Sequence, residues 1–161
     1  MKATLVVTLA MLFAVTILAA EPIADFSLED IDGNQVTLSD LLAEGPVLIN
    51  FWATWCVNCK KEMPRLSELQ DAYEGITIIC ISIDKPGKKA QAIKEVKNRF
   101  SFLTLLDPEK TVYESMNATN PPSTYILSAE GEVVWSHEGY RKGDEEKIEE
   151  QIKLVLAGGE E

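Results

Sequence analysis

Short, continuous apolar runs alternate along the chain with longer segments of helical periodicity. Residues 47–52 and 76–83 are almost uniformly apolar, which is typical of strands that are buried on both faces. Between them, residues 56–73 carry apolar side chains at the spacing of one helix face, and Pro64 within this segment is expected to kink the helix. A strand, a helix and a strand in this order predict a right-handed βαβ unit with parallel strands.

Further strands and helices are predicted on either side of this unit. Residues 26–28 and 35–37 flank a polar Asp-Gly-Asn turn and predict a small N-terminal β-hairpin. The other predicted elements are a helix at 88–100, a short strand at 103–106, an antiparallel hairpin at 124–127 and 133–136, and a last helix at 144–156. Together the patterns predict an α/β fold whose central mixed β-sheet is parallel in its first half, antiparallel in its second half and flanked by helices.

The first twenty residues have the composition of a targeting segment. A basic Met1-Lys2 start is followed by 18 uncharged residues, and the run ends at Glu21. This order favours a signal peptide cleaved after Ala20, and an uncleaved membrane anchor is the alternative, because the run is just long enough to span a bilayer. Residues 1–20 are therefore predicted to export a single domain, residues 21–161, to the periplasm or the outer face of the membrane.

Composition narrows the function classes. The 161 residues include 26 acidic and 15 basic side chains, and a net charge of −11 argues against a nucleic-acid partner or an anionic membrane surface. Three cysteines are too few for a disulfide scaffold, and a single histidine excludes histidine-based metal sites. A compact acidic domain remains, expected to be a monomer, whose chemistry rests on cysteine.

Cys56 and Cys59 are the candidate catalytic residues. They follow a predicted buried strand and open a predicted helix, so Cys56 faces free backbone N–H groups and the positive end of the helix dipole. Both effects stabilise a thiolate, and the pKa of Cys56 is expected to lie below the value of roughly 8.5 for a free cysteine. Cys59 lies one turn later. Cys56 is thus predicted to attack a substrate disulfide and Cys59 to resolve the mixed disulfide.

Other uses of the two cysteines require further ligands or a different spacing. A c-type haem site needs a histidine after the second cysteine, where Lys60 stands, and a zinc site needs four ligands when only Cys80 and His137 are left over. The spacing required of a peroxidase cysteine is absent, and Cys80 itself is expected to be a buried, inert thiol. Copper(I) bound by the two thiolates is the alternative that fits chemically. Otherwise no metal or cofactor is expected beyond a redox-active Cys56–Cys59 disulfide.

The segment from Asn50 to Pro64, which reads Asn-Phe-Trp-Ala-Thr-Trp-Cys-Val-Asn-Cys-Lys-Lys-Glu-Met-Pro, resembles the active-site segment of the thioredoxin superfamily. In particular it is similar to the TlpA/ResA-like branch of exported thiol–disulfide oxidoreductases. The resemblance extends over residues 22–156 and implies a thioredoxin-like fold with an N-terminal β-hairpin extension. It also implies thiol–disulfide exchange at the two cysteines.

Four further site residues are implied by this resemblance. Pro122 matches the family's cis-proline, which lies against the disulfide and presents backbone to the substrate, and Ser123 follows it in the predicted substrate-binding set. Trp55 matches a tryptophan that shields the sulfurs and completes that set. Glu62 matches a glutamate near the cysteines of cytochrome-maturation members, where a partly buried carboxylate can exchange protons with Cys59. The alternatives are an ordinary loop proline at 122 and a solvated helix residue at 62.

Two departures from the family pattern affect the expected chemistry. Val57-Asn58 replaces the more usual Xaa-Pro pair between the cysteines, and this pair tunes the redox potential, so the direction of the reaction does not carry over. Asn50 stands where cytoplasmic thioredoxins place a buried acid, and an amide cannot take a proton. Glu62 or water must therefore serve the resolving cysteine.

The resemblance and Glu62 favour a protein disulfide reductase that acts on an exported, cysteine-containing protein, with the haem-binding cysteines of apocytochrome c as one candidate. Such a reductase needs a membrane electron donor to restore its thiols. The acidity of the chain favours a substrate that is neutral or basic around its cysteines. The alternative function is a copper(I) chaperone or assembly factor that uses the same two thiolates.

Overall fold

The computed structural model describes residues 22–158, and the predicted signal peptide or anchor at residues 1–20 lies outside this range. Within it, one sheet of seven strands has the order β2-β1-β5-β4-β3-β6-β7. The strands are β1 (Ser27–Asp30), β2 (Gln35–Thr37), β3 (Val47–Trp52), β4 (Thr77–Ser82), β5 (Leu103–Leu106), β6 (Ser123–Leu127) and β7 (Val133–Glu138). The helices are α1 (Leu38–Leu42), α2 (Val57–Ala72), α3 (Lys89–Val96), α4 (Thr111–Ser115) and α5 (Asp144–Gly158), with a 3-10 turn at Pro86–Lys88.

The predicted βαβ unit is confirmed and forms the centre of the sheet. β3 pairs with β4 in parallel and with β6 in antiparallel orientation, and each of its six residues is buried. β4 continues in parallel to β5. Because the parallel strands end at the same edge of the sheet, the carboxyl end of β3 delivers the chain directly to the cysteine segment at the start of α2.

The edges of the sheet differ in part from the prediction. The N-terminal hairpin is confirmed, but β1 also pairs antiparallel with β5, so the sheet is parallel in the middle and antiparallel at both edges. The expectation of a parallel first half is wrong there, because the N-terminal hairpin adds to the edge of the sheet beside β5 with β1 running antiparallel to it. The mixed sheet flanked by helices is confirmed, and β6–β7 form the predicted antiparallel hairpin.

Two helices differ from the sequence pattern for local reasons. The helix predicted over 88–100 ends at Val96, because the backbone turns away at Lys97 and Asn98 adopts a left-handed conformation with φ 60°. The short helix α4 was not predicted. It is held by the buried Asp107 carboxylate, which accepts hydrogen bonds from the backbone N–H groups of Thr111 and Tyr113 at 2.9 Å each.

Helices α2 and α5 pack together and position the site. Glu149 of α5 accepts a hydrogen bond from the Tyr73 hydroxyl at 2.6 Å and forms an ion pair with Arg65 of α2. Pro64 lies inside α2 as expected, and the kink stays a prediction. None of the helices that the structure describes is long and apolar enough to cross a bilayer.

Candidate active site

The two cysteines lie at the start of α2, joined in a disulfide. Their sulfurs are 2.05 Å apart and their Cα atoms 5.3 Å apart. Cys56 is the N-cap residue of the helix, and its sulfur accepts a hydrogen bond from the backbone N–H of Cys59 at 3.1 Å. Cys56 is 5% exposed and Cys59 is fully buried, so Cys56 is the sulfur that a partner can reach first. The described state is the oxidised one.

A buried carboxylate fixes the loop that leads into the disulfide. Asp84, just after β4, accepts hydrogen bonds from the Thr54 backbone N–H at 2.8 Å and from its hydroxyl at 2.7 Å. The hydroxyl of Ser82 donates to the same carboxylate at 3.0 Å. Sequence reasoning missed Asp84, although a carboxylate directly after a buried parallel strand is itself a signal, because such strand ends face the site.

We expect Asp84→Asn to destabilise the fold and slow disulfide exchange. The amide NH₂ would place a donor where a carboxylate oxygen now accepts hydrogen bonds from Thr54 or Ser82. The buried polar group left unpaired should lower the free energy of unfolding by about 1–3 kcal/mol. Urea unfolding and the rate of reaction with a small disulfide measure both effects. Asp71→Asn, at an exposed position on α2, is the matched control and should change neither quantity. Wild-type stability in Asp84→Asn would contradict the role of this carboxylate.

A cis peptide bond joins Pro121 to Pro122, next to the disulfide. The carbonyl oxygen of Pro121 is 3.5 Å from the Cys56 sulfur, and the carbonyl of Pro122 accepts a hydrogen bond from Gly139 at 2.7 Å. The alternative of an ordinary loop proline at 122 does not fit this geometry. That Pro122 presents backbone to a substrate stays a prediction.

The two other predicted substrate-binding residues occupy opposite environments. Ser123 is fully buried, and its hydroxyl donates to the carbonyl of Asn120 at 2.8 Å, so its side chain holds the proline loop. In the sheet, Ser123 pairs with Phe51 of β3 and with Glu138 of β7. Trp55 is 64% exposed and Val57 is 66% exposed, on either side of Cys56. Exposed apolar side chains at this point are available to a partner, and the binding roles of Trp55 and Ser123 stay predictions.

Glu62 lies in the core, one helical turn after Cys59. Its side chain is fully buried, so the alternative of a solvated helix position is excluded. The amide NH₂ of Asn50 donates to Glu62 Oε2 and to Thr124 Oγ1, both at 2.9 Å. Glu62 Oε1 and Asn50 Oδ1 are buried, and neither has a hydrogen-bond partner among residues 22–158. Asn50, which cannot carry a proton, thus positions the carboxyl that can.

Burial shifts the proton affinity of this carboxyl towards neutral pH. Desolvation raises the pKa of Glu62 to about 8, the Asn50 amide opposes the shift, and the charges of Asp144 and Glu145 add to it. The buried thiol of Cys80 lies nearby, and its pKa is raised by burial and by the charge of Glu62. Cys80 is a free buried cysteine, as predicted. Burial therefore brings the pKa of the Glu62 carboxyl, one helical turn after Cys59, close to neutral pH, and its proton exchange with Cys59 stays a prediction.

The described part of the chain offers few metal ligands. Across residues 22–158 no group of three or more His, Cys, Asp or Glu side chains is placed to hold a metal ion. His137 lies 3.2 Å from Asp144 Oδ2 instead. A copper(I) ion would therefore depend on the two thiolates of reduced Cys56 and Cys59 alone.

The chain is similar to known proteins in sequence and in structure. Residues 19–136 match the model of the AhpC/TSA family. The thiol-disulfide oxidoreductase ResA of Halalkalibacterium halodurans is 30% identical over 139 residues, which are 85% of this chain and 77% of that protein. ResA of Bacillus subtilis is 32% identical over 114 residues, and the match spans 68% of this chain and 62% of that relative.

Among solved structures, the crystal structure of a putative thiol:disulfide interchange protein DsbE from Chlorobium tepidum is similar over nearly its whole length. The TM-score is 0.76 at 26% sequence identity, and the match covers 88% of this chain and 99% of that one.

Proposed function

The chain belongs to the AhpC/TSA family and is a thiol–disulfide oxidoreductase similar to ResA, and from this premise we propose that it reduces disulfides in other proteins. The thioredoxin-like fold and the family resemblance expected from the Asn50–Pro64 segment are confirmed. One observation carries the proposal: a Cys56–Cys59 disulfide at a helix start, with the buried carboxyl of Glu62 one turn below it.

The proposed reaction moves two electrons from this protein to its substrate. The Cys56 thiolate attacks one sulfur of the substrate disulfide, forms a mixed disulfide and releases the other substrate sulfur as a thiolate. The Cys59 thiolate then attacks the Cys56 sulfur, which forms the Cys56–Cys59 disulfide and releases the second substrate thiolate. Free N–H groups at the start of α2 favour the anionic form of Cys56, since the Cys59 N–H already donates to that sulfur.

Glu62 supports the second step as a proton carrier. Cys59 is fully buried and must lose its proton before it attacks, and a fully buried carboxyl lies one turn away. Because burial brings the pKa of Glu62 to about 8, the carboxyl can both take up and release a proton near neutral pH. The buried Oε1, which no described residue engages, is the free position for this proton.

The proposed location rests on the N-terminal segment, and the proposed partners rest on the consumption of one dithiol in each turnover. Residues 1–20 support an extracytoplasmic location, by a cleaved signal peptide or an uncleaved anchor. The substrate is then an exported protein with a disulfide, and apocytochrome c is the candidate that Glu62 favours. Each turnover consumes the dithiol, so a membrane donor must reduce Cys56–Cys59 again. We propose that the protein acts as a monomer without a bound cofactor.

Two measurements on one purified sample test the function. A reduction potential of the Cys56–Cys59 pair near or below the roughly −270 mV of thioredoxin, with reduction of an oxidised Cys-Xaa-Xaa-Cys-His peptide, supports the reductase. A strongly oxidising potential would instead indicate a disulfide donor. Tight copper(I) binding by the reduced protein, with negligible reduction of peptide disulfides, would overturn the proposal in favour of a copper chaperone.

A further inference from the structure

An open pocket with a basic border adjoins the active site. It has a volume of about 430 Å³ and lies between the start of α2 and the loop that joins β7 to α5. The residues that line it are Asn58, Lys61, Tyr140, Arg141, Lys142 and Glu145. We call its three cations, Lys61, Arg141 and Lys142, the basic rim.

Two connections hold the basic rim next to the disulfide. Asn58 stands between the two cysteines, and Lys61 follows Cys59 by two residues on the same helix. On the other side, Gly139, where the β7–α5 loop begins, donates its N–H to the cis-proline carbonyl at 2.7 Å. The neighbouring Pro121 carbonyl lies 3.5 Å from the Cys56 sulfur. The pocket therefore adjoins both segments that flank the Cys56 sulfur, the start of α2 and the cis-proline loop.

The cations of the rim are exposed and unpaired in the described part of the chain. Each of the three lacks an ion pair within residues 22–158, whereas the neighbouring Lys60 is paired with Glu95. Glu145 is the one acid in the lining. Its pKa is lowered by hydrogen bonds from its own backbone N–H, from that of Gly143 and from the Tyr140 hydroxyl. The residues that line the pocket thus carry a positive net charge on a chain whose net charge is −11.

We propose that the basic rim binds carboxylate side chains of the protein substrate, within about four residues of the cysteine that Cys56 attacks. This inference rests on the proposed function and names its substrate class: disulfides flanked by Asp or Glu. It departs from the preference for neutral or basic substrates that the net charge favours. Charges separated by more than about 10 Å are screened in physiological salt, whereas the rim acts on groups in contact with it.

The test uses three synthetic disulfide peptides that differ only in the residues flanking the cysteines, which are Glu, Gln or Lys. The second-order rate constant for oxidation of the reduced protein is measured with each peptide by stopped-flow tryptophan fluorescence. We expect the Glu peptide to react about tenfold faster than the Gln peptide and the Lys peptide to be slowest, with the differences shrinking at high salt.

A charge-reversed variant separates recognition from folding. Arg141→Glu/Lys142→Glu should invert the order, so that the Lys peptide reacts fastest, a result that damage to the fold would not produce. Lys94→Glu/Lys97→Glu makes the same change in net charge, at one position on α3 and one just after it, and should keep the wild-type order. Neutral bis(2-hydroxyethyl) disulfide should react equally with all three proteins.

The outcomes distinguish this inference from the proposed function. Equal rates for the three peptides, or the wild-type order retained in Arg141→Glu/Lys142→Glu, would overturn the role of the basic rim and leave the reductase intact. Failure to reduce any peptide and the neutral disulfide would overturn both proposals.

Discussion

Replacing Cys59 with serine is expected to trap this protein in covalent complexes with its substrates. Cys56 retains its place at the start of α2 and still attacks, but the sulfur that breaks the mixed disulfide is gone. Turnover should fall to the background rate. Non-reducing electrophoresis of the exported fraction, followed by mass spectrometry of bands that disappear on reduction, would identify the trapped partners.

Two further variants serve as controls for the trapping experiment with Cys59→Ser. Cys56→Ser should form no mixed disulfides and show no exchange, because the fully buried Cys59 cannot be reached by a protein substrate. Cys80→Ser should exchange like the wild type, because the Cys80 thiol is buried and unpaired. Absence of any trapped complex in Cys59→Ser, together with full activity of Cys56→Ser, would reverse the assignment of the two cysteines.

The sequence pattern predicts the elements that local composition determines. The apolar runs of β3 and β4 are long enough to require burial on both faces. The helix predicted between them allows only a right-handed crossover that joins two parallel strands. The cysteine pair is then placed at the carboxyl edge of the sheet by chain order alone. These predictions succeed because they depend on residues that are close in sequence.

The parts that the sequence left open depend on contacts between distant residues. Asp84 reaches Thr54 across 30 positions, and Asn50 reaches Thr124 across 74. The hydrophobic periodicity of the sequence does not indicate which distant residue either side chain contacts. Arg141 likewise lies near the start of α2 only because α5 packs beside α2. The net charge of the chain therefore could not predict the basic rim.

The position of Glu62 in the sequence indicates burial, although a charged residue is normally expected at the surface. Glu62, Leu66 and Leu69 follow one another at i, i+4 and i+7, the spacing of the buried face of a helix, and all three are buried. A carboxylate on that stripe costs free energy when it is ionised, so its presence there indicates a function that offsets the cost.

Glu62→Gln is expected to stabilise the oxidised protein in alkaline solution. The pKa of Glu62 is about 8 in the folded protein against a usual 4.5, so between these pH values the folded state holds a proton that the unfolded state has lost. Wild-type stability therefore falls as the pH rises through this window, by about 3–5 kcal/mol in total. Glutamine does not titrate and should show no such fall.

Urea unfolding of the oxidised proteins at intervals from pH 4 to pH 9 measures this difference. Glu62→Gln and wild type should be similar near pH 4, separate from about pH 5 and reach their full difference above about pH 8. Glu74→Gln, at an exposed position just after α2, is the control and should follow the wild-type curve. Parallel curves for Glu62→Gln and wild type would show that Glu62 ionises in the folded state as it does in water.

Glu62→Gln should slow disulfide exchange while it stabilises the fold. Loss of a residue with only a structural role would not give this combination. Without a group that accepts the Cys59 proton, resolution of the mixed disulfide should slow by roughly 100-fold near pH 7. The pH profile of exchange should lose the inflection near pH 8 that Glu62 contributes. An unchanged profile, measured with a disulfide peptide under single-turnover conditions, would assign the proton transfer to water and leave Glu62 with no part in it.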